Sequence, residues 1–310
     1  MQDTRARFTA AMLKPRQEIK AAFLQAVQDI KDSVSVAEVT RALENGNIQG
    51  ALDILGIGDA AFYPLRDALE AAYGTGGRYF ETVLPKRHEG KRLVFRFDMR
   101  NPRAEDWLRT RSSTLITEIV EGQMEMARAT LFEGMMQGRN PRSVALDLVG
   151  RIAKGSNRRA GGFIGLTGRE AGAVANYRER LIADGRDVAQ IDRMATKYAS
   201  KLLRVRGERI ARTESLASLN AGKLEAAQQA IDAHKIKGVT KVWDATMDER
   251  TRNSHRAMDG QVKKMNEPFQ APSGALLKHP GDTTMGAGPE ETIHCRCYMK
   301  VRVDHLAGIK

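Results

Sequence analysis

A long helical seam constrains this chain most. Val188, Ile191, Ala195, Tyr198, Leu202 and Val205 are spaced 3, 4, 3, 4 and 3 apart. That spacing is one face of an α-helix buried against another helix. The helical pattern continues through residues 210–231 with little interruption. A chain built around such a rod must supply further helices to cover its apolar stripe.

Those helices are legible upstream. Phe23, Leu24, Val27 and Ile30 mark one buried face over residues 20–31, and shorter helices are predicted over 36–43, 51–55 and 64–73. Gly74-Thr75-Gly76-Gly77 reads as a breaker. Leu93, Phe95 and Phe97 alternate with Val94 and Arg96, which predicts a short strand near 92–97. Asn101-Pro102 and Asn140-Pro141 each place a capping side chain before a proline at the first helical position. The first opens a long helix to about Met136, with Trp107, Leu108, Leu115, Ile119, Met126 and Leu131 as its core; the second runs to about Ile152.

After His234 the pattern changes. Residues 239–243 read as a strand, and Met299, Val301 and Val303 alternate with Lys300 and Arg302 as a second one. Between them lies a stretch rich in glycine and proline. The expected fold class is a mainly α-helical N-terminal region with a small α+β C-terminal domain. The expected divisions are 1–100, a helical region with a short strand; 101–204, a long-helix region with a basic linker; and 205–310, the α+β domain.

Charge adds a partner class. The 310 residues carry 50 Lys+Arg against 38 Asp+Glu, a formal +12, and residues 139–222 hold +9 of it. Such an excess favours a polyanion, most simply nucleic acid. Lys154, Arg158 and Arg159 lie in a Gly-rich basic stretch suited to phosphate contact, or to a solvated linker. Arg193, Lys197, Lys201 and Arg204 flank the helical seam as a basic stripe; taken alone it reads as a solvated face ahead of a nucleic-acid contact. No run of 18 apolar residues exists, so no membrane span is expected. Residues 1–20 lack an apolar core run, so no secretion signal is expected. Two cysteines, only two positions apart, exclude a secreted disulfide framework.

Four fragments near the C-terminus carry chemistry. They are Arg212-Thr213-Glu214, with Asn220 downstream; Trp243, followed by Asp248, Arg250, Arg252 and His255; Asp259-Gly260, with Phe269 and Pro280 beyond it; and His294-Cys295-Arg296-Cys297. In order and spacing they resemble the Mu F-like head morphogenesis family of tailed bacteriophages, the minor head proteins. The resemblance covers about residues 163–303, and Phe97-Asp98 with Asn101-Pro102 is also similar to phage members. One position departs: the family's usual Asn before the first Cys is His294 here. The resemblance implies a virion protein, assembled in the host cytoplasm, with portal or capsid proteins and packaged double-stranded DNA as partners, in the phage head interior or portal region.

The residues themselves admit several roles. Cys295, Cys297 and His255 are zinc-ligand types, with His294 or Asp248 as a fourth, so zinc is the one cofactor in view. The residues alone favour the other reading, in which the two thiols are reduced core residues. Glu214, Asp248, Arg250, Arg252 and His255 can form a structural polar network of carboxylates and guanidinium groups. A catalytic reading makes His255 a general base beside Asp248 and Arg250, as in a metal- or histidine-dependent nuclease or toxin-like enzyme carried in the virion. A structural role is favoured over catalysis. A third option is an adaptor role for the helices of residues 21–69, whose apolar surface serves equally as internal core.

Overall fold

The computed structural model describes residues 3–88, 91–153 and 155–303. Ten α-helices are assigned among them: α1 Arg5–Ser33, α2 Val36–Glu44, α3 Ile48–Ile54, α4 Tyr63–Val83, α5 Pro102–Met136, α6 Pro141–Val149, α7 Gly168–Ala183, α8 Val188–Asp232, α9 Asn253–Ala257 and α10 Pro289–Thr292. The strands are short. β1 Arg87–His88 pairs with β2 Lys91–Arg92, and β3 Arg151–Ile152 with β4 Arg159–Ala160. Farther on come β5 Val239–Asp244, β6 Val262–Lys264, β7 Phe269–Gln270, β8 Leu276–Leu277 and β9 Tyr298–Val303. Strand β5 is the centre of an antiparallel sheet in the order β6-β5-β9, with Trp243 opposite Met299, and β7 pairs with β8. The chain is therefore mainly helical, with a small sheet-containing C-terminal region.

The residues group into two compact units that interleave along the sequence. One comprises the described residues of Lys20–Arg66 and Ser112–Glu208. Its core includes Phe23, stacked on Phe62 at 6.4 Å, with Ile119, Leu131, Leu148 and Ile191. The fully buried Gln123 replaces backbone partners here, donating to Leu166 O at 2.6 Å and accepting from Gly165 N at 2.5 Å. Asn140 accepts from Ser143 N at 3.1 Å, so the Asn-Pro start acts as its sequence predicts. Thr167 and Glu170 form a reciprocal capping box on α7.

The other unit comprises the described residues of Met1–Ile19, Asp67–Arg111 and Arg209–Lys310. Here α4 does not stop at Gly74–Gly77 as the sequence suggests; it runs through to Val83. The glycines serve close approach instead. A Cβ at Gly76 would lie 2.1 Å from Leu219 O, and one at Gly222 would lie 2.0 Å from Tyr73 O. The backbones of α4 and α8 meet where only glycine fits. Residues 93–98 also differ from expectation: β2 ends at Arg92 and no ladder continues over 93–97. Burial still alternates, because Phe95 packs edge-on to Phe80 at 6.4 Å and Phe97 lies 5.9 Å from Tyr73. Period-2 patterning reported an extended segment on a helical surface rather than a paired strand.

The seam of α8 is shorter than its spacing implies. Ile191 and Ala195 are buried and Tyr198 and Leu202 half-buried, whereas Val188 and Val205 are 71% and 51% exposed. A straight helix repeats at 3.6 residues, so a 3.5-residue stripe drifts out of register by about 20° per heptad.

Candidate functional site

Beneath the sheet-containing region, one face of α8 presents Thr213, Ala217 and Asn220 at helical spacing. Asn220 Nδ2 donates to Pro280 O at 3.2 Å. Ala217 faces Gly281, which has φ +84°; a Cβ there would come within 3.3 Å of Ala217. Thr213 Oγ1 accepts from His294 N at 3.3 Å. Glu214 is 3% exposed and receives two bonds from Arg111, Nε to Oε2 at 2.8 Å and Nη2 to Oε1 at 2.5 Å. Arg111 Nη1 also donates to Thr283 Oγ1 at 3.0 Å. The Arg-Thr-Glu fragment thus anchors two loops, 278–284 and 293–297, onto α8.

Beyond β5 the chain enters the segment that holds Asp248 and His255. Asp259 Oδ1 accepts from Ala245 N at 2.8 Å, and Gly260, at φ +77°, returns its N–H to Trp243 O at 2.9 Å. Asp248 is exposed and grips Arg296 through two bonds of 2.5 Å. The Arg296 hydrogen bonds hold its carboxyl well below the usual carboxylate range. Arg252 donates to Ile293 O, and Thr246 Oγ1 to Arg296 O at 2.8 Å. These bonds clamp residues 244–256 to residues 293–297.

His255 lies inside that clamp, 1% exposed. Its Nδ1 is 3.4 Å from Cys297 Sγ and 3.7 Å from Cys295 Sγ. Its Nε2 is 3.0 Å from Glu291 Oε2. Glu291 is itself buried and accepts from Ser254 Oγ and Ser273 Oγ, each at 2.9 Å. Trp243 covers the imidazole edge-on at 5.3 Å and meets Phe269 at 5.3 Å on another side. Both cysteines are buried and unbridged. Hydrogen bonding from the Cys295 thiol, with His255 adding to it, lowers Cys297 to about 5, while the bond to Cys297 and burial push Cys295 up. Residues 295–297 precede β9 and are not themselves a strand. Two-residue spacing still turns both sulfurs inward and leaves Arg296 exposed.

The structure separates residues that the sequence grouped. Glu214, Asp248, Arg250, Arg252 and His255 do not form one network: each carboxylate takes a different arginine, Arg111 for Glu214 and Arg296 for Asp248. Arg250 is exposed, and only its backbone N–H reaches Asp248 Oδ1, at 3.0 Å. The catalytic trio His255, Asp248 and Arg250 therefore has no shared cleft: the histidine is buried while its two partners face solvent. His294 also leaves the metal-ligand set. It is exposed and sits at φ +57°, a left-handed conformation in which Asn, Asp and His are enriched among non-glycine residues. That backbone requirement explains why His can stand where Asn is usual. Arg111, which completes the Glu214 contact, carried no sequence signal because α5 is remote from the motifs; Glu291, which faces His255, lies only three residues before His294 but outside the quoted fragments.

Residues 172–300 match the model of the family described as Phage Mu protein F like protein. This segment belongs to the Mu F-like family. A curated relative, the minor head protein GP7 of Bacillus phage SPP1, is 36% identical over 94 residues. That alignment covers 30% of this chain and 29% of the relative, so the chain matches less than a third of that protein's length. No solved structure matches.

The nucleic-acid candidates fall into two groups. Lys154 lies outside the described residues. Arg158 pairs with Asp32 at 3.5 Å. Arg159 donates to Gly150 O at 3.2 Å and to Val34 O at 3.5 Å, so its guanidinium is committed internally rather than mobile. Arg193, Lys197, Lys201 and Arg204 differ: all four are exposed, on one side of α8. No helix among the described residues is long and apolar enough to cross a membrane.

Proposed function

We propose that this protein is a phage minor head protein with a structural role in head morphogenesis. It docks on portal or capsid proteins during assembly in the host cytoplasm and resides in the virion, in the head interior or portal region. The observation that carries this reading is the Mu F-like segment, whose motif residues hold one another: Thr213 to residue 294, Asp248 to Arg296, His255 to both cysteines. A set of residues spent on closing loops over α8 suits a rigid assembly element. A catalytic role is the weaker reading, since His255 is 1% exposed and Asp248 is occupied by Arg296. Immunoblotting of gradient-purified heads tests the proposal. The protein is expected to co-sediment with them; heads that assemble normally without it would remove the reading.

The same reading includes contact with packaged DNA through α8. Arg193, Lys197, Lys201 and Arg204 follow one another at intervals of 4, 4 and 3 residues, a stripe about 16 Å long at 1.5 Å per residue. Four phosphate contacts give a salt slope of about −3.6 in log K against log salt. Reversing all four to Glu is expected to abolish that slope in a duplex-binding titration, with no sequence preference in either protein. Wild-type affinity at low salt in the reversed variant would rule out DNA contact through this stripe.

A further inference from the structure

We propose that His255, Cys295 and Cys297 bind a zinc ion that fastens α9 to the segment preceding β9. Three donor atoms of the types zinc prefers, one imidazole nitrogen and two sulfurs, lie within 4.8 Å of one another, all on buried residues. The spacing is that of a coordination sphere. Zn–S of about 2.3 Å and Zn–N of about 2.0–2.1 Å at a tetrahedral angle put N and S roughly 3.6 Å apart. The two N···S distances here are 3.4 and 3.7 Å.

The surroundings are arranged for the same ion. His255 turns Nδ1 toward the sulfurs and Nε2 toward Glu291 at 3.0 Å. A metal-bound histidine characteristically donates its other N–H to a carboxylate, which fixes the tautomer and the ring orientation. Ser254 and Ser273 orient Glu291 in turn. Trp243 packs edge-on against the ring and is itself backed by Phe269. Two thiolates neutralise the dication, so a buried site holds no net ligand–metal charge. Among the described residues no fourth His, Cys, Asp or Glu side chain joins the three, which leaves the remaining position to water. Reduced core thiols alone would not need a histidine whose far nitrogen faces a buried carboxylate at 3.0 Å. The ion joins residues 255 and 297 across the intervening Gly- and Pro-rich stretch, where few regular strands hold the chain.

Metal analysis of the full-length protein, purified without chelator or affinity metal, tests the assignment. One zinc per chain is expected, and Cys295→Ser, Cys297→Ser and His255→Asn are each expected to lose it. His294→Ala is expected to keep it, since that side chain faces solvent. Glu291→Gln is expected to weaken zinc affinity about 10- to 100-fold while retaining the ligands. Should the ligand variants fail to fold, cobalt exchange into the wild type decides. Thiolate charge-transfer bands and the intense visible bands of tetrahedral cobalt support the site. A folded, reduced wild-type protein that takes up neither zinc nor cobalt overturns it.

Discussion

Lys223→Met is expected to lower the free energy of unfolding by about 3 kcal/mol, in the lower part of the range for breaking a buried ion pair. Lys223 is fully buried on α8, and each of its three protons has an acceptor: Asp3 Oδ2 at 2.7 Å, Met299 O at 2.7 Å and the Tyr298 hydroxyl at 2.9 Å. The rings of Tyr298, Tyr79 and Phe8 surround the ammonium at 4.3, 5.3 and 5.5 Å. Methionine matches the length but leaves the Asp3 carboxylate without its cation. The loss stays in the lower part of the range because Asp3 still accepts from Tyr79 Oη at 2.9 Å and from Val301 N at 2.8 Å. Adding Asp3→Asn to the variant is expected to restore part of the loss, since replacing a whole buried pair is far cheaper than breaking it.

The pH profile supplies a second readout. Burial lowers Lys223 from 10.5 to about 8. Between those values the unfolded chain binds the proton and the folded chain releases it, so stability rises with pH across that window and is lower below it. Lys31 and Lys241, lowered to about 8 by burial as well, contribute in the same direction. Urea unfolding at pH 8, 9 and 10 is expected to show a shallower rise in Lys223→Met than in the wild type. An unchanged slope would mean that Lys223 titrates normally.

Much of this architecture was legible in the sequence, for identifiable reasons. The helices of α1, α5 and α8 announce themselves through apolar spacing that sums over many turns, and the Asn-Pro starts name their own first residues. Strand β9 shows through alternation of Met299, Val301 and Val303, whereas β5 shows as a short run in which Lys241, Val242 and Trp243 are all buried. Local signals failed where a distant backbone decided the outcome. Gly74–Gly77 looks like a loop until α8 is seen to need the space. Phe95 and Phe97 alternate like a strand because they line a helical surface. At the candidate site, residue types located His255, Cys295 and Cys297, but the wider grouping did not survive. Charge complementarity says that a carboxylate will find a guanidinium, not which one. Glu214 takes Arg111 from α5 and Asp248 takes Arg296 from the cysteine loop. Pairings at such separations are set by helix packing, of which the motif spacing carries no record.

Glu214→Ala is expected to cost about 3–5 kcal/mol of stability, more than any exposed substitution in the same unit. The Glu214 side chain is 4% exposed and that of Arg111 15%, so the two-bond pair between them is largely screened from water. Removing the carboxylate strands a guanidinium that then retains Thr283 among its partners. Glu214→Gln keeps one acceptor oxygen and the side-chain volume, so its loss should be smaller. The double variant Arg111→Met with Glu214→Leu removes both charges and fills the space with apolar atoms; it is expected to recover most of the stability lost by the single change. Urea unfolding of the wild type, Arg111→Met, Glu214→Leu and the double variant gives the coupling energy directly. Full additivity of the two sites would show that the pair contributes nothing. The contrast with Asp248 sharpens the point: Asp248→Ala breaks an equally well-formed bidentate pair, yet that pair is exposed, and water compensates for the missing partner. Burial of the arginine–glutamate pair under α8 makes the Arg-Thr-Glu fragment a determinant of folding, independent of any reaction chemistry.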